Sequence, residues 1–197
     1  MRLLTYVVAR DFGFAPNPFH GYCTLATCKP IIRRVAKPGD WIVGTGSAAR
    51  KRAGRFVFAM EVAEALTFNE YWNDPRFRRK KPNLRGSKKQ AFGDNIYFRD
   101  AHGWHQENSH HSLNDGTPNP ENIRNDTQTD RVLIATNFIY WGGGGPAIPA
   151  EYGDIVCFRR GHRANFNPEV AAKFICWLRS QTDRGFQADP LDWAKSP

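Results

Sequence analysis

The sequence predicts a mixed α+β fold, in which a mainly antiparallel sheet or small barrel carries flanking helices and a long polar insertion. Three observations carry this prediction. About six segments have the apolar patterning of strands, few have helical spacing, and the connections are too short for the crossovers of a doubly wound sheet. The 197 residues are 41% hydrophobic and 24% charged, so we expect one domain over residues 1–197.

Short apolar runs bounded by Gly, Pro or polar residues mark the predicted strands. In chain order these are residues 3–9, 23–28, 40–44, 56–66, 93–100, 131–141 and 154–158. The clearest of them is RVLIATNFIYW, which ends next to four consecutive glycines.

Two segments have helical spacing. After Pro30, which suits a first helical turn, the apolar residues of IIRRVA recur at helical spacing as far as the Pro-Gly pair at residues 38–39. Residues 168–181 place apolar side chains on one stripe, formed by Val170, Phe174, Trp177 and Leu178. A further helical turn is expected at residues 68–74.

The remaining segments are polar. Residues 75–90 form a basic excursion with few apolar side chains. Residues 101–130 are rich in His, Asn, Asp and Pro and lack a sustained apolar period, so they are predicted to be a polar loop insertion. Loops of this length in compact domains are usually functional or disordered. Residues 182–197 are expected to be a C-terminal extension.

The charge balance points to an acidic partner. The chain has 28 Lys and Arg against 19 Asp and Glu, which gives a formal net charge of +9. A basic surface is the electrostatic footprint of nucleic-acid binding. A basic protein whose charge only keeps it in solution is the alternative interpretation.

The four cysteines indicate a reducing compartment. Cys23 and Cys28 are spaced C-x4-C, but eighteen residues lie between Cys157 and Cys176, so a four-cysteine zinc site is disfavoured and buried thiols are expected. No apolar run has the length of a signal or membrane segment. We therefore expect a cytoplasmic protein without membrane association, with no metal and no cofactor.

The stretch GDWIVGTGSAARKRAGR, residues 39–55, tests two nucleotide motifs. It satisfies G-x-G-x-x-A after a predicted strand, and Glu61 follows near the distance of a ribose-binding acid. However, only about nine residues, without an apolar face, lead to the next strand, and a parallel crossover needs at least about ten to twelve. The P-loop pattern is also absent. A hairpin-like connection with a basic rim remains.

Two basic clusters are candidate phosphate contacts, and solvated surface charge is the alternative for both. The first follows the glycines and the second lies beside the aromatic residues Tyr71, Trp72 and Phe77. Basic groups neutralise phosphates, while aromatic faces stack on unpaired bases. The predicted contacts are Arg50, Lys51, Arg52, Arg55, Arg78, Arg79, Lys80 and Lys81.

A base pocket requires stacking planes and groups that read a base edge. Trp41 lies in an apolar run, so a core position is the favoured alternative for it. Asn137 lies within a strongly apolar run, where a buried amide must be hydrogen-bonded by a structural network or a ligand. The candidates are Asn17, Phe19, Trp41, Thr45, Ser47, Asn137, Tyr140 and Trp141.

The histidines support an enzymatic alternative. Four of the six lie in HGWHQENSHH, and imidazole transfers protons near neutral pH. Their spacing matches no metal motif, and the zinc deaminase signature is absent. His110 and His111 are the candidate catalytic pair, with Glu107 or Asp115 as an acidic partner. An exposed polar loop is the alternative.

Two quoted stretches carry a resemblance to a known family. APNPFHGYCTLATCKPIIRRVAKPGDWIVGTGS at residues 15–47 and RVLIATNFIYWG at residues 131–142 resemble the prokaryotic family called nucleotide modification associated domain 2. The family takes its name from genes near nucleic-acid base-modification and phage-conflict systems. The resemblance implies such a setting and no particular reaction.

A second, weaker resemblance is to the PUA-like superfold, which includes the ASCH, EVE and YTH domains. There, a helix leads through a Gly-Asp turn into a barrel strand, as KPIIRRVAKPGDWIVG would here. The resemblance implies a pocket for a single or modified base, although the long insertion at residues 101–130 departs from that pattern. The aromatic cage of YTH domains has no residue-by-residue match in this chain.

These observations give one leading hypothesis and two alternatives. The leading hypothesis is a domain that binds nucleic acid or a nucleotide and recognises a modified or flipped base in a base-modification or phage-defence setting. An enzyme that acts on a nucleobase or nucleotide through the His-rich loop is the first alternative. A non-catalytic protein-interaction domain is the second.

Overall fold

The computed structural model describes residues 1–157 and 161–195. The chain divides into two compact units. Unit 1 comprises Met1–Phe12, Ala36–Ala63 and Ala135–Pro197, and unit 2 comprises Gly13–Val35 and Glu64–Ile134.

The strands and helices are numbered in chain order. The strands are β1 (Leu3–Val8), β2 (Cys23–Leu25), β3 (Trp41–Gly46), β4 (Phe56–Glu61), β5 (Glu64–Leu66), β6 (Tyr97–Asp100), β7 (Gly103–Gln106), β8 (Val132–Ala135), β9 (Asn137–Tyr140), β10 (His162–Arg163) and β11 (Gly185–Phe186). The α-helices are α1 (Pro30–Val35), α2 (Phe68–Asn73), α3 (Lys88–Ala91), α4 (Pro120–Asp126) and α5 (Pro168–Ser180). The 3₁₀ helices are Ala48–Arg50, Pro75–Lys80, Gly142–Gly144, Ala150–Ile155 and Leu191–Lys195.

Unit 1 is built on a six-stranded mixed sheet with the order β10-β1-β3-β4-β9-β11. The pairs β1–β3 and β9–β11 are parallel, and the other three neighbouring pairs are antiparallel. The predicted mixed α+β class is therefore confirmed. The strands of the described chain do not close into a barrel, because β10 and β11 end this sheet at opposite edges.

Helix α5 packs its apolar stripe into the core of unit 1. Asn167 caps its first turn by accepting from the backbone N–H of Glu169 over 2.9 Å, and Pro168 occupies the first turn. Phe174 and Leu178 are fully buried among the sheet residues of the core, which confirms the predicted helix at residues 168–181 to within one residue. None of the helices in the described ranges is both long and apolar enough to cross a bilayer.

Unit 2 contains the three-stranded sheet β2-β8-β5 and the two-stranded sheet β6-β7. The prediction of an unbroken polar loop at residues 101–130 is wrong, because the segment contains β7 and α4. Local signals specify the helix: Asn119 accepts from the backbone N–H groups of Glu121 and Asn122, and Pro120 starts the first turn. Helix α4 therefore forms without a broad apolar stripe.

Three of the predicted strands are divided or misplaced. Residues 131–141 form two strands, β8 and β9, separated by the exposed Thr136. Residues 56–66 likewise form β4 and β5. The strand predicted at residues 154–158 is wrong at its start, because the 3₁₀ helix Ala150–Ile155 follows Pro149, and its last residue lies outside the described ranges.

Candidate functional site

The two tryptophans of the predicted base pocket lie in the core of unit 1. Trp41 is 1% exposed and Trp141 is 7% exposed, and both belong to the cluster that packs around α5. The rings of Trp141 and Phe56 lie 5.1 Å apart. Neither indole presents an open face for stacking on a base, which agrees with the core alternative for Trp41.

Asn137 participates in a polar network at the end of β4. Its Nδ2 donates to Glu61 Oε2 over 2.8 Å, and Arg179 donates to Glu61 Oε1 over 2.6 Å. Burial alone would raise the pKa of Glu61, but these donors and the charge of Arg179 lower it below its usual value. Asn137 and Glu61 also line an open groove of about 280 Å³. The amide therefore lies beside solvent, where its hydrogen bond supports the ion pair between Glu61 and Arg179.

The other unit 1 pocket candidates have internal partners. Tyr140 is fully buried and its hydroxyl donates to Asp11. Thr45 is also fully buried, and its hydroxyl donates to the carbonyl of Tyr6 over 3.4 Å. Ser47 caps the 3₁₀ helix Ala48–Arg50 by accepting from the backbone N–H of Ala49.

The basic rim after the glycines is mostly used within unit 1. Arg50 forms an ion pair of 2.8 Å with Asp192, whose side chain is 2% exposed. Arg52 and Arg55 both donate to the carbonyl of Gly145, over 3.4 and 3.2 Å. Lys51 is exposed. Among the four predicted rim cations of the described chain, it is the one without an ion pair or a hydrogen bond from its side chain.

Asn17, Phe19 and Lys80 form an interior cluster of unit 2. The Lys80 ammonium donates to the carbonyl and side-chain oxygens of Asn17 over 3.0 and 2.7 Å, and to the carbonyl of Tyr22 over 3.0 Å. Lys80 is 1% exposed and Phe19 is 2% exposed. Burial lowers the pKa of Lys80 to about 8, although the nearby Asp94 carboxylate opposes that shift. Lys80 therefore does not belong to the exposed cationic cluster.

The buried Lys80 instead fixes the position of its neighbours. The segment Pro75–Lys80 is held by two buried side chains, Phe77 and Lys80. Arg78 and Arg79, which lie between them, are exposed. Lys81 is half-buried, and its ammonium lies 3.5 Å from the centroid of the Trp72 ring in a cation–π contact.

His20 links this segment with α3. Burial and the positive charges of Arg79, Lys80 and Lys89 lower the pKa of His20 to about 4. Its Nε2 is buried without a hydrogen-bond partner in the described part of the chain. The charges of Arg79 and Lys89, from two separate segments, therefore act on one neutral imidazole. We call this region of unit 2 the cationic face: His20, Arg79 and Lys89, together with Arg78, the exposed sequence neighbour of Arg79.

The second site of unit 2 contains a predicted catalytic residue, His111. Its Nδ1 donates to Asp126 Oδ2 over 2.9 Å, and its Nε2 lies 3.8 Å from the Sγ of Cys28. Asp126 also accepts from the backbone N–H of Cys28, over 2.6 Å. We call these three residues the Cys28–His111–Asp126 relay.

A layer of hydrogen bonds fixes the relay. Tyr97 donates its hydroxyl to Asp126 Oδ2 over 2.9 Å. Arg33 is fully buried, and its guanidinium donates to the carbonyl of Cys28 over 2.9 Å and to the carbonyl of Asp126. Asn122 donates to the carbonyl of His111 over 2.8 Å. Hydrogen bonds to its carbonyl oxygen therefore fix the backbone of each of the three relay residues.

Local structure brings the relay together. Cys28 and Lys29 have φ angles of +56° and +44°, in the left-handed region that non-glycine residues rarely adopt. Helix α1 begins directly afterwards at Pro30, and Asp126 is the last residue of α4. This left-handed backbone conformation sets the direction of the Cys28 side chain directly before the start of α1.

The imidazole of the relay is strongly basic. Burial alone would lower the pKa of His111, but the hydrogen bonds with Asp126 and Cys28 raise it to about 9. The His111 side chain is 15% exposed and that of Asp126 is 3% exposed, so water screens this pair only weakly. An imidazole of this kind is a competent acceptor for a thiol proton.

The structure separates the two predicted catalytic histidines. His110 is exposed, and its ring lies 5.3 Å from Phe14 and 5.1 Å from Phe92. His111 has the acidic partner Asp126, rather than the predicted Glu107 or Asp115, which are both exposed. Cys28 and Asp126 are site residues that the sequence did not predict. The pattern Asn-Pro-Glu at residues 119–121 could have indicated the helix that carries Asp126.

The relay residues do not form a metal site. The two ring nitrogens of His111 face different partners, with Nδ1 toward the carboxylate and Nε2 toward the thiol. Across the described ranges, no group of three or more His, Cys, Asp or Glu side chains converges as metal ligands would.

Comparison with known proteins identifies the family. No curated protein and no solved structure shows significant similarity to the chain. The model of one protein family, nucleotide modification associated domain 2, matches residues 1–197. The chain therefore belongs to the nucleotide modification associated domain 2 family.

Proposed function

We propose that the protein binds nucleic acid or a nucleotide through the cationic face of unit 2, in a system that modifies nucleic-acid bases. The observation that supports this proposal most directly is the convergence of Arg79, Lys89 and His20, since burial and, after it, the charges of Arg79, Lys80 and Lys89 lower the pKa of the imidazole. Phosphate groups are the natural partners of such a cluster.

The cationic face is held in place before any ligand arrives. Asp74 accepts from the backbone N–H of Arg76 at the start of the 3₁₀ helix Pro75–Lys80, while Ser87 and Gln90 form a capping box around α3. Because buried side chains anchor the first segment internally, its exposed arginines lose less freedom on binding than residues of a flexible charge run would.

The aromatic residues beside this face add a second contact surface. The rings of Trp72 and Phe98 lie 4.6 Å apart, and the ring of His105 stacks on Phe98 at 4.6 Å. These three residues are half-buried. Partly exposed stacked rings are typical of surfaces that contact unpaired bases. The phage-defence setting belongs to the proposal as an implication of the family, and recognition of a modified or flipped base belongs to it as an implication of the PUA-like resemblance.

A binding panel tests the proposal. We would measure the fluorescence anisotropy of labelled single- and double-stranded DNA and RNA, with and without modified bases, and of a labelled mononucleotide, across a range of salt concentrations. We expect an affinity that falls with salt. The double variant Arg78→Ala/Arg79→Ala should lower the slope of log K against log [salt] by about 0.7–0.9 for each phosphate that the protein no longer neutralises.

Arg124→Ala is the matched control, because Arg124 is an exposed arginine of unit 2 that lies on α4 rather than on the cationic face. It should leave the affinity unchanged. In addition, an anion bound beside His20 should raise the pKa of its imidazole from about 4, as followed by NMR titration. Binding without salt dependence, or equal losses of affinity in the control and the double variant, would contradict the proposal.

A further inference from the structure

We propose that Cys28 is the nucleophile of a second site in this protein, one that transfers acyl groups. Its substrates are compounds with a carbonyl carbon attached to an oxygen, sulfur or activated nitrogen leaving group. This inference does not depend on nucleic-acid binding and concerns other residues of unit 2.

The distances and directions of the relay support this assignment. The imidazole Nε2 lies 3.8 Å from the sulfur, and Nδ1 donates to a carboxylate over 2.9 Å. A nucleophile, a base and a group that orients the base are the three parts of a nucleophilic triad. The 3.8 Å separation is loose for a hydrogen bond to oxygen, but it lies within the range for sulfur, and such contacts shorten when substrate binds.

Two observations separate the relay from an ordinary buried polar network. The backbone at Cys28 adopts a left-handed conformation that costs free energy for a non-glycine residue. Asp126 also binds both the backbone N–H of Cys28 and the ring of His111. One carboxylate therefore sets the position of the nucleophile and the orientation of the base together.

The thiol is accessible enough to react. Cys28 is partly exposed, whereas Cys23 and Cys157 are buried. Cys176 is exposed, but the hydrogen bonds and ion pairs of the described chain give it no imidazole partner. This contrast supplies an internal reference, because solvent access alone predicts that Cys176 reacts faster than Cys28.

The acylation step conserves atoms and charge. In the reactive form the thiol proton already lies on His111 Nε2, so a Cys28 thiolate faces a protonated imidazole. The thiolate sulfur forms a bond to the carbonyl carbon. The bond from that carbon to the leaving group then breaks, and the Nε2 proton passes to the leaving group, which departs in neutral form. The acyl group remains on Cys28 as a thioester.

Water or an amine completes the cycle. It attacks the thioester carbon and gives a proton to Nε2, and the carbon–sulfur bond breaks, which restores the thiolate beside the protonated imidazole. The net change is hydrolysis of the substrate by water or transfer of its acyl group to the amine. The same imidazole nitrogen serves as acid and then as base, so the cycle requires no oxidant, metal or second thiol.

The first experiment measures where an activated ester reacts. The full chain is incubated with p-nitrophenyl acetate, nitrophenolate release is followed by absorbance, and peptide mass spectrometry locates the acetyl group. We expect a burst of release with acetylation at Cys28. Cys28→Ala should lose the burst, while Cys176→Ala, the matched control, should keep it.

The second experiment tests the base. His111→Gln should slow acetylation of Cys28 by about 100-fold, in line with the usual contribution of a general base, whereas His102→Gln should have no effect. His102 is exposed in the same region of the chain. Thermal melting of each variant establishes that it is folded at the assay temperature.

Asp126 acts through His111 and is a positioning residue, so its test needs a readout other than rate alone. In Asp126→Asn the amide keeps the size of the side chain but loses the charge that favours imidazolium. We therefore expect the pH–rate profile of Cys28 acetylation to change shape as well as height. Fitting this profile must include Cys28 and Asp126, which contact the imidazole, and His110, whose ring lies 6.3 Å from it. It must also include Tyr97 and Arg33, which interact with Asp126 and Cys28.

Three outcomes would overturn the proposal. Acetyl groups could appear on Cys176 or on lysines rather than on Cys28. His111→Gln could react as fast as the wild-type chain while remaining folded. Cys28→Ala could retain the burst. If Cys28 is also alkylated by iodoacetamide more slowly than Cys176 in the wild-type chain, solvent access rather than the relay governs its reactivity.

Discussion

The two units use the same residue types in opposite ways. In unit 1, Arg50 and Arg52 turn inward to Asp192 and to glycine carbonyls. In unit 2, Arg33 also turns inward, but it does so to brace the backbone of Cys28 and Asp126. The buried polar groups described for unit 1 hold loops and strand ends. Unit 2 has such a structural cluster around Lys80, but it also has buried polar groups that surround a thiol and a basic imidazole.

This difference shows what separates a structural polar group from a functional candidate. Most polar side chains proposed for unit 1 have an internal partner, as Asn137 has in Glu61, and Lys51 is an exposed exception. In unit 2, His20 has a buried nitrogen without a partner in the described part of the chain, and His111 faces a partly exposed thiol. A polar group that still has an unused hydrogen-bonding or reactive atom points to a ligand.

The largest expected effect compares two buried carboxylates. Asp126→Ala should destabilise the protein by about 3–5 kcal/mol, because it leaves His111, Tyr97 and a backbone N–H without their acceptor. Asp192→Ala in unit 1 should cost less, about 1–3 kcal/mol, since it leaves one buried backbone N–H, that of Asp11, without its acceptor, while Arg50 can turn to solvent. Urea unfolding measures both values. If Asp192→Ala is the more damaging change, the contrast between the units fails.

The second effect is the pH dependence that His111 confers on stability. Its pKa is raised from 6.5 to about 9 in the folded protein, so the stabilisation is fully present below pH 6.5 and is lost as the pH rises through 9. The expected loss is up to about 3 kcal/mol. Urea unfolding across this pH window measures it, and in His111→Gln this part of the slope should disappear.

His20 gives the opposite slope. Its pKa is lowered from 6.5 to about 4, so its contribution to stability is present above pH 6.5 and is lost as the pH falls through 4. Urea unfolding between these pH values measures the acid limb of the stability profile. His20→Gln should flatten that limb while leaving the alkaline limb unchanged.

The third effect concerns the glycine run of unit 1. A Cβ at Gly145 would overlap the backbone of Phe56, so Gly145→Ala should destabilise the protein by about 1–3 kcal/mol. At Gly144, the nearest atom to an added Cβ is the Ala188 Cβ at 3.4 Å, and Gly144→Ala should change stability little. Equal melting temperatures for the two variants would show that close packing against β4 does not explain why glycine occupies position 145.

The smallest effect separates structural from ligand-binding arginines. Arg52→Lys keeps the charge but loses the forked donor to the Gly143 and Gly145 carbonyls, so it should cost about 1 kcal/mol of stability. Oligonucleotide affinity should not change. A drop in affinity without a drop in stability would show that Arg52 binds the ligand. It would weaken the contrast between the structural arginines of unit 1 and the ligand-binding arginines of unit 2.

The sequence predicted the elements that depend on apolar periodicity. Continuous apolar runs indicated β3 and the start of β4, and the stripe on residues 168–181 indicated α5, because burial of one face is encoded locally. The exposed Thr136 within RVLIATNFIYW marks the division between β8 and β9. A single polar residue in an apolar run does not reveal that division in advance.

The relay was only partly predictable because its contacts are distant along the chain. Cys28 and His111 are separated by 83 positions, and Cys28 and Asp126 by 98. The composition of residues 102–111 indicated the histidines, but no pattern in the neighbouring sequence predicts that His111 contacts Cys28. Lys80 shows the converse, since nothing in the run of basic residues at 78–81 distinguishes the one ammonium that is buried.

The chain order of the two units has a consequence during synthesis. All of unit 2 has been made once residue 134 has been added, including Cys28, His111 and Asp126, whereas β9, β10, β11 and α5 come later. At that stage β4 still lacks β9, its neighbour on one side. A nascent chain that pauses there exposes an unpaired strand edge, the kind of surface that chaperones bind and that otherwise promotes aggregation.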